Sequence, residues 1–166
     1  VPGALPPTPI EELYAAHRLG LVRIAVLLVD DLPTAEDVVQ DAFAGLAPRL
    51  GRLRDPDAAL GYLRTSVVNR CRSALRRRRT ARAFVPPRPE PPDRPEASVL
   101  LAEEHRDVLA ALAKLAPRQR EVLVLRYWSE LSESQIAATL SISPGTVKST
   151  ASRALDQLEQ LLEVSR

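Results

Sequence analysis

Six prolines crowd the stretch Phe84–Ser98: Pro86, Pro87, Pro89, Pro91, Pro92 and Pro95. Proline lacks the amide donor and disfavours helix in the residue before it, so this segment is extended or polyproline-like. It cuts the 166-residue chain in two. The expected division is a domain over residues 8–82, a linker over 83–98 and a second domain over 99–164. Neither half shows strand-like alternation of any length, and there is no internal repeat. The expected fold class is therefore all-α, two small helical domains joined by a proline-rich linker.

Helix starts are legible in both halves. Thr8-Pro9-Ile10-Glu11 reads as a capping box with proline at the first helical position. That helix runs through Leu13, Ala16, Leu19, Leu21, Ile24 and Leu27 to Asp30. Thr34 with Asp37 three residues later predicts a second start, reaching Leu46 or Leu50. Asp55-Pro56 opens a third helix, from Ala58 through Leu63, Val67 and Leu75 into a run of arginines. In the second half, a helix starting near Ser98 carries Leu100, Leu101, Val108, Leu109, Leu112 and Leu115. Pro117 breaks it and opens a helix to Trp128. Ser132 with Gln135 forms another capping box, for a short helix to Leu140, and Ser143-Pro144 opens the last, to about Val164.

Composition excludes more than it identifies. At 45% hydrophobic and 27% charged, the chain is too apolar for disorder and too polar for a membrane protein. No apolar run approaches the ~20 residues of a bilayer span. Val1–Pro7 carries no basic region ahead of an apolar core, so the expected location is the cytoplasm. Cys71 stands alone and His17 and His105 are far apart, so neither a metal nor a cofactor is expected. Clustered carboxylates or a nucleophile paired with a base are missing too, which argues against an enzyme.

The net charge of +2 hides an uneven distribution. Arg70, Arg72, Arg76, Arg77, Arg78, Arg79 and Arg82 fall in one stretch without an acid among them. Such a block is either a solvated helix face or a phosphate-binding surface, and mutual repulsion of uncompensated arginines favours the second.

Glu133–Arg153 has the logic of a helix-turn-helix. Ala137 is the small residue where two helices cross, Ile136, Leu140, Ile142 and Val147 bracket the turn, and Ser141-Ile142-Ser143 forms it. Ser141 stands where a left-handed backbone, and so glycine, is usual, at a cost on the order of 1 kcal/mol. On the last helix, Thr146, Lys148, Ser149, Ser152 and Arg153 form a hydrogen-bonding, cationic face whose nearest acids are Asp156 and Glu159. Those side-chain types read base edges and phosphates, so this face is expected to bind DNA.

Two segments in this order resemble a known family. Leu115–Leu123, Tyr127 and Ser141–Ser149 resemble the fourth region of extracytoplasmic-function (group IV) sigma factors. Ala35-Glu36-Asp37-Val38-Val39-Gln40-Asp41-Ala42-Phe43 resembles the family's polymerase-binding helix. Tyr62-Leu63, Asn69 and Arg76–Arg79 resemble its promoter-melting, −10-reading helix. The resemblance covers roughly residues 10–82 and 99–162.

It implies a factor that brings bacterial RNA polymerase to a promoter and opens it. Glu36, Asp37, Gln40 and Asp41, with Phe43 as apolar anchor, would meet the clamp helices of the polymerase core, whose flap is a further contact. Tyr62, Asn69, Arg70, Arg72, Arg76, Arg77, Arg78 and Arg79 would hold the −10 strands, with Asn69 and the loop Arg54–Asp57 bordering a pocket for an unstacked base. Thr146, Lys148, Ser149, Ser152 and Arg153 would read the −35 element. The linker would thread the polymerase cleft, and an anti-sigma factor joins the candidate partners. Three positions depart from the family's pattern: Tyr62 where Trp is frequent, Ser73 where Asp is frequent, and Thr150 where a basic residue is frequent. They bear on promoter sequence, not on the class of function. The rival reading, an operator-binding regulator, leaves the arginine block and the acidic Glu36–Asp41 surface without a purpose.

Overall fold

A computed structural model describes residues 9–53, 55–84 and 106–164. Among them are seven α-helices and no strand: α1 (Pro9–Val29), α2 (Leu32–Leu46), α3 (Pro56–Phe84), α4 (Arg106–Lys114), α5 (Pro117–Tyr127), α6 (Glu133–Leu140) and α7 (Pro144–Val164). A 3-10 turn over Ala47–Arg52 follows α2. The all-α class and the order of helices agree with the sequence. Thr8, the prolines at 86–95 and the expected helix start near Ser98 lie outside the described residues.

α1, α2 and α3 form the first helical unit. Its tightest corner is the reversal between α1 and α2. Asp30 takes a left-handed backbone (φ 63°), which Asp tolerates better than most residues. Asp31 then caps α2, its Oδ1 accepting the Thr34 amide at 2.8 Å, with proline in the first turn. The helix therefore starts at Leu32, ahead of the start expected at Thr34, because Asp31 supplies the cap and Pro33 needs no amide partner. Asp55 performs the same service for α3, accepting the Asp57 amide at 3.0 Å.

The second unit is α4–α7. The Ser132–Gln135 capping box is present in both directions, at 3.2 and 2.9 Å. Ser141 ends α6 in the left-handed conformation (φ 55°, ψ 46°), as the sequence predicts. Val147, Ala151 and Ala154 form the buried stripe of α7 at helical spacing.

The two units pack against each other. The second half of α1, Leu21–Val29 apart from Arg23, is buried on every side. A helix apolar all round needs cover all round. α2 and α3 cover one side, and α4 and α5 pack on α1 while α6 packs on α3. One contiguous apolar cluster runs from Leu21 and Leu63 in the first unit to Leu112, Val122 and Ile136 in the second.

Candidate promoter-binding surfaces

Thr146, Lys148, Ser152 and Arg153 stand exposed on one side of α7, and Ser149 is half-buried. Ser143 caps this helix: its Oγ accepts the Thr146 amide at 3.1 Å and lies 2.8 Å from the Thr146 hydroxyl. The Ser149 hydroxyl donates to the Thr146 carbonyl at 3.2 Å. The helix-turn-helix angle is fixed by the Ile142 amide, which donates to the Ala137 carbonyl at 3.1 Å. A support invisible in the motif comes from Arg118 on α5, which donates to the Leu140 carbonyl at the end of α6, at 3.4 Å.

The arginine block of α3 is divided by its own geometry. Helical steps of about 100° point successive residues in different directions. Arg76, Arg77 and Arg79 are exposed. Arg78 turns inward, where its guanidinium pairs with the buried Asp31 carboxylate and donates to the Val29 carbonyl (2.6 Å) and the Thr34 hydroxyl (3.0 Å). It clamps the α1–α2 corner. Arg72 is also engaged: its Nε and Nη2 donate to Glu121 of α5 at 2.6 and 2.7 Å, and its Nη1 to Asn69 at 3.3 Å. The bond to Glu121 raises the Arg72 pKa. Arg70 is half-buried, donating to Ser66 at 3.2 Å with Asp41 at 3.9 Å. Six residues earlier on α3, burial lowers the pKa of Arg64, against the pull of Asp57.

Tyr62 lines an open pocket of about 440 Å³ together with Pro48, Arg49, Arg52 and Leu53. The Arg49 guanidinium sits 5.4 Å from the centre of the Tyr62 ring, within cation–π range. Gly45 makes room for this arrangement, since a β-carbon there would lie 3.1 Å from the Tyr62 hydroxyl and 3.6 Å from Arg70. Neither Arg49 nor Gly45 carries a motif signal. They come together with Tyr62 only through the packing of the 3-10 turn and α2 on α3.

On α2, Glu36, Asp37, Gln40 and Asp41 are exposed. Glu36 pairs with Arg18 at 3.5 Å. Phe43 is buried at 5% exposure, so it faces the core and not the surface. Its ring meets Tyr14 edge-on at 5.0 Å, and Tyr14, 40% exposed, is the aromatic that this surface presents. Among the described residues no cluster of His, Cys, Asp and Glu is suited to hold a metal, and no helix is long and apolar enough to cross a membrane.

Comparison with known proteins closes the question of kinship. Residues 13–81 match the sigma-70 region 2 family and residues 105–158 match sigma-70 region 4. An RNA polymerase sigma-E factor of Streptomyces antibioticus is 37% identical over 156 residues, covering 92% of this chain and 84% of that protein. The RNA polymerase sigma factor CarQ of Myxococcus xanthus is 30% identical over 158 residues, covering 92% and 88%. Among solved structures, CnrH in complex with the cytosolic domain of CnrY superposes with a TM-score of 0.70 at 27% identity, over 95% of this chain and 89% of that one. The sigma factor RpoE of Bartonella quintana, in complex with the anti-sigma factor NepR, gives 0.70 at 26% identity, over 93% and 99%. With both regions matched in order and the helices where the family requires them, the chain belongs to the extracytoplasmic-function branch of the sigma-70 family, the transcription initiation factors that direct RNA polymerase to specific promoters.

Proposed function

We propose that the promoter is read by two surfaces of this chain and the polymerase is gripped by a third. The exposed, acid-free face of α7 carries the proposal. Thr146, Lys148, Ser149, Ser152 and Arg153 read the −35 element in the major groove, with Lys148 and Arg153 supplying the cationic contacts. Arg76, Arg77 and Arg79, with Asn69 and Arg70, hold the −10 strands. The pocket between Tyr62 and Arg49 receives an unstacked base, for which a flat ring and a guanidinium are suitable walls. Arg78 acts on DNA indirectly, by fixing the corner on which α3 rests.

Glu36, Asp37, Gln40 and Asp41 meet the polymerase clamp helices, and Tyr14 takes the apolar contact that Phe43, being buried, leaves open. The chain performs no chemistry of its own: bond formation belongs to the polymerase. Its place of action is the cytoplasm, with the polymerase. The CnrH and RpoE structures, each with its partner, support an anti-sigma factor as a further partner here.

The test is run-off transcription with bacterial core polymerase on a pool of genomic promoter fragments. New transcripts that disappear with Asp37→Arg support the assignment. Specific retention of duplex DNA by the protein alone, without transcripts, overturns it in favour of an operator-binding regulator.

A further inference from the structure

The 3-10 turn over Ala47–Arg52 repeats every three residues, so Arg49 and Arg52 fall on one side of it. Both line the pocket of about 440 Å³, with Pro48, Leu53 and Tyr62. Tyr62 is half-buried and packs on the apolar cluster. Its hydroxyl end is seated against α2, where a β-carbon at Gly45 would stand only 3.1 Å away. The Arg49 guanidinium lies over the ring, 5.4 Å from its centre. With the core beneath it, α2 at its hydroxyl and a guanidinium above, the ring leaves an incoming base no open face.

Arg49 itself is exposed, and among the described residues no carboxylate pairs with it. A guanidinium is flat and delocalised, so one face can rest on an aromatic ring while the other stacks on a base. We propose that Arg49 is the platform on which the unstacked −10 base rests, and that Tyr62 is a positioning residue that holds the guanidinium flat from behind. The proposal rests on the reading of this pocket as a base site made above. It assigns the direct contact to the cation and the supporting role to the ring. Arg52, three residues on, borders the same pocket and offers donors to the edge of the base. Lysine could supply the charge of Arg49 but not its plane.

The experiment uses holoenzyme, assembled from this chain and bacterial core polymerase, on the promoter recovered by run-off transcription. The probe is its non-template −10 strand, prepared intact and with a single abasic nucleotide at each position in turn. Binding of each strand is measured for the parent, Arg49→Lys and Tyr62→Leu, with helical content checked by circular dichroism. In the parent, removing the base at one position should weaken binding about tenfold, or ~1.4 kcal/mol, the scale of one stacked base.

Arg49→Lys should bind the intact strand about tenfold more weakly, the abasic strand like the parent, and keep the parent's dependence on salt. Tyr62→Leu should lose most of the same abasic penalty, because the guanidinium is no longer held. A full penalty retained in Arg49→Lys overturns the proposal and makes Tyr62 the platform. A loss in Arg49→Lys that is equal for intact and abasic strands also overturns it, because it marks a contact to the backbone and not to a base. If no position shows a penalty in the parent, the base-pocket reading beneath the proposal falls instead. Should Tyr62→Leu lose helical content, Arg49→Lys, at an exposed position, decides alone.

Discussion

Arg76, Arg77, Arg78 and Arg79 are chemically identical and adjacent, yet the fold gives them two different tasks. Arg78 carries the buried Asp31 carboxylate and two further acceptors at the α1–α2 corner. Removing one partner of such a pair strands the other in a low-dielectric site. Arg78→Ala should therefore destabilise the protein by roughly 3 kcal/mol in urea denaturation. Arg77→Ala, at an exposed position, should stay within about 0.5 kcal/mol of the parent. It should instead weaken binding to single-stranded DNA. A run of arginines reads in the sequence as one patch. The direction of each guanidinium depends on which carboxylate the packing brings near, and Asp31 lies 47 positions away in the chain. Phe43 shows the same limit: the motif that marks its helix is visible, but not the face on which its ring sits.

Cys71 offers a pH-dependent prediction at this scale. Burial first, and the charge of Glu121 second, push its thiol up to about 12 from 9.0. A folded-state value above the unfolded one favours folding fully below the unfolded pKa and loses that contribution as pH rises through the folded one. Stability should thus fall between pH 9 and 12 by up to a few kcal/mol, and Cys71→Ala should flatten that limb while costing stability below pH 9, where the parent thiol is protonated. Urea denaturation across the alkaline range measures it.

Among the elements, the caps were the most legible. Ser132–Gln135, Asp55-Pro56 and Ser143-Pro144 act locally, within three residues, and a sequence contains everything they need. Asp31 was concealed because the pattern Thr34–Asp37 offered a plausible start three residues later. Ser141 was legible as a left-handed residue because the helix-turn-helix permits little else there. Relief of that strain gives a prediction: Ser141→Gly should raise stability by about 1 kcal/mol, or roughly 2–4 °C in melting temperature for a chain of this size. Calorimetry checks it, and −35 binding should be unchanged because Ser141 precedes the reading face.

For the whole molecule, the proline segment marks two helical units, and the structure packs their apolar cores against each other. A signal for this was present in Ile24–Val29, six apolar residues in succession that no three-helix unit can cover alone. The identity of the cover was not readable, because contact between the units depends on pairs such as Arg72 and Glu121, 49 positions apart. A shared core predicts shared unfolding. Trp128, the single tryptophan, lies in the second unit and reports on it by fluorescence, whereas circular dichroism follows all helices. Their thermal transitions should coincide. Leu63→Ala, deep in the first unit, should move both by the same amount, at a cost of about 2–5 kcal/mol. Two separate transitions would show the units to be independent.

The contact between the two units also constrains how such proteins diversify. Arg72 on one side and Glu121 on the other form a lock whose halves are encoded on either side of the proline segment. A chimera that joins the first unit of this chain to the second unit of a relative would inherit a mismatched lock. Recombination between family members at the linker, which exchanges −10 and −35 preferences in one step, is therefore filtered by residues that read no base at all.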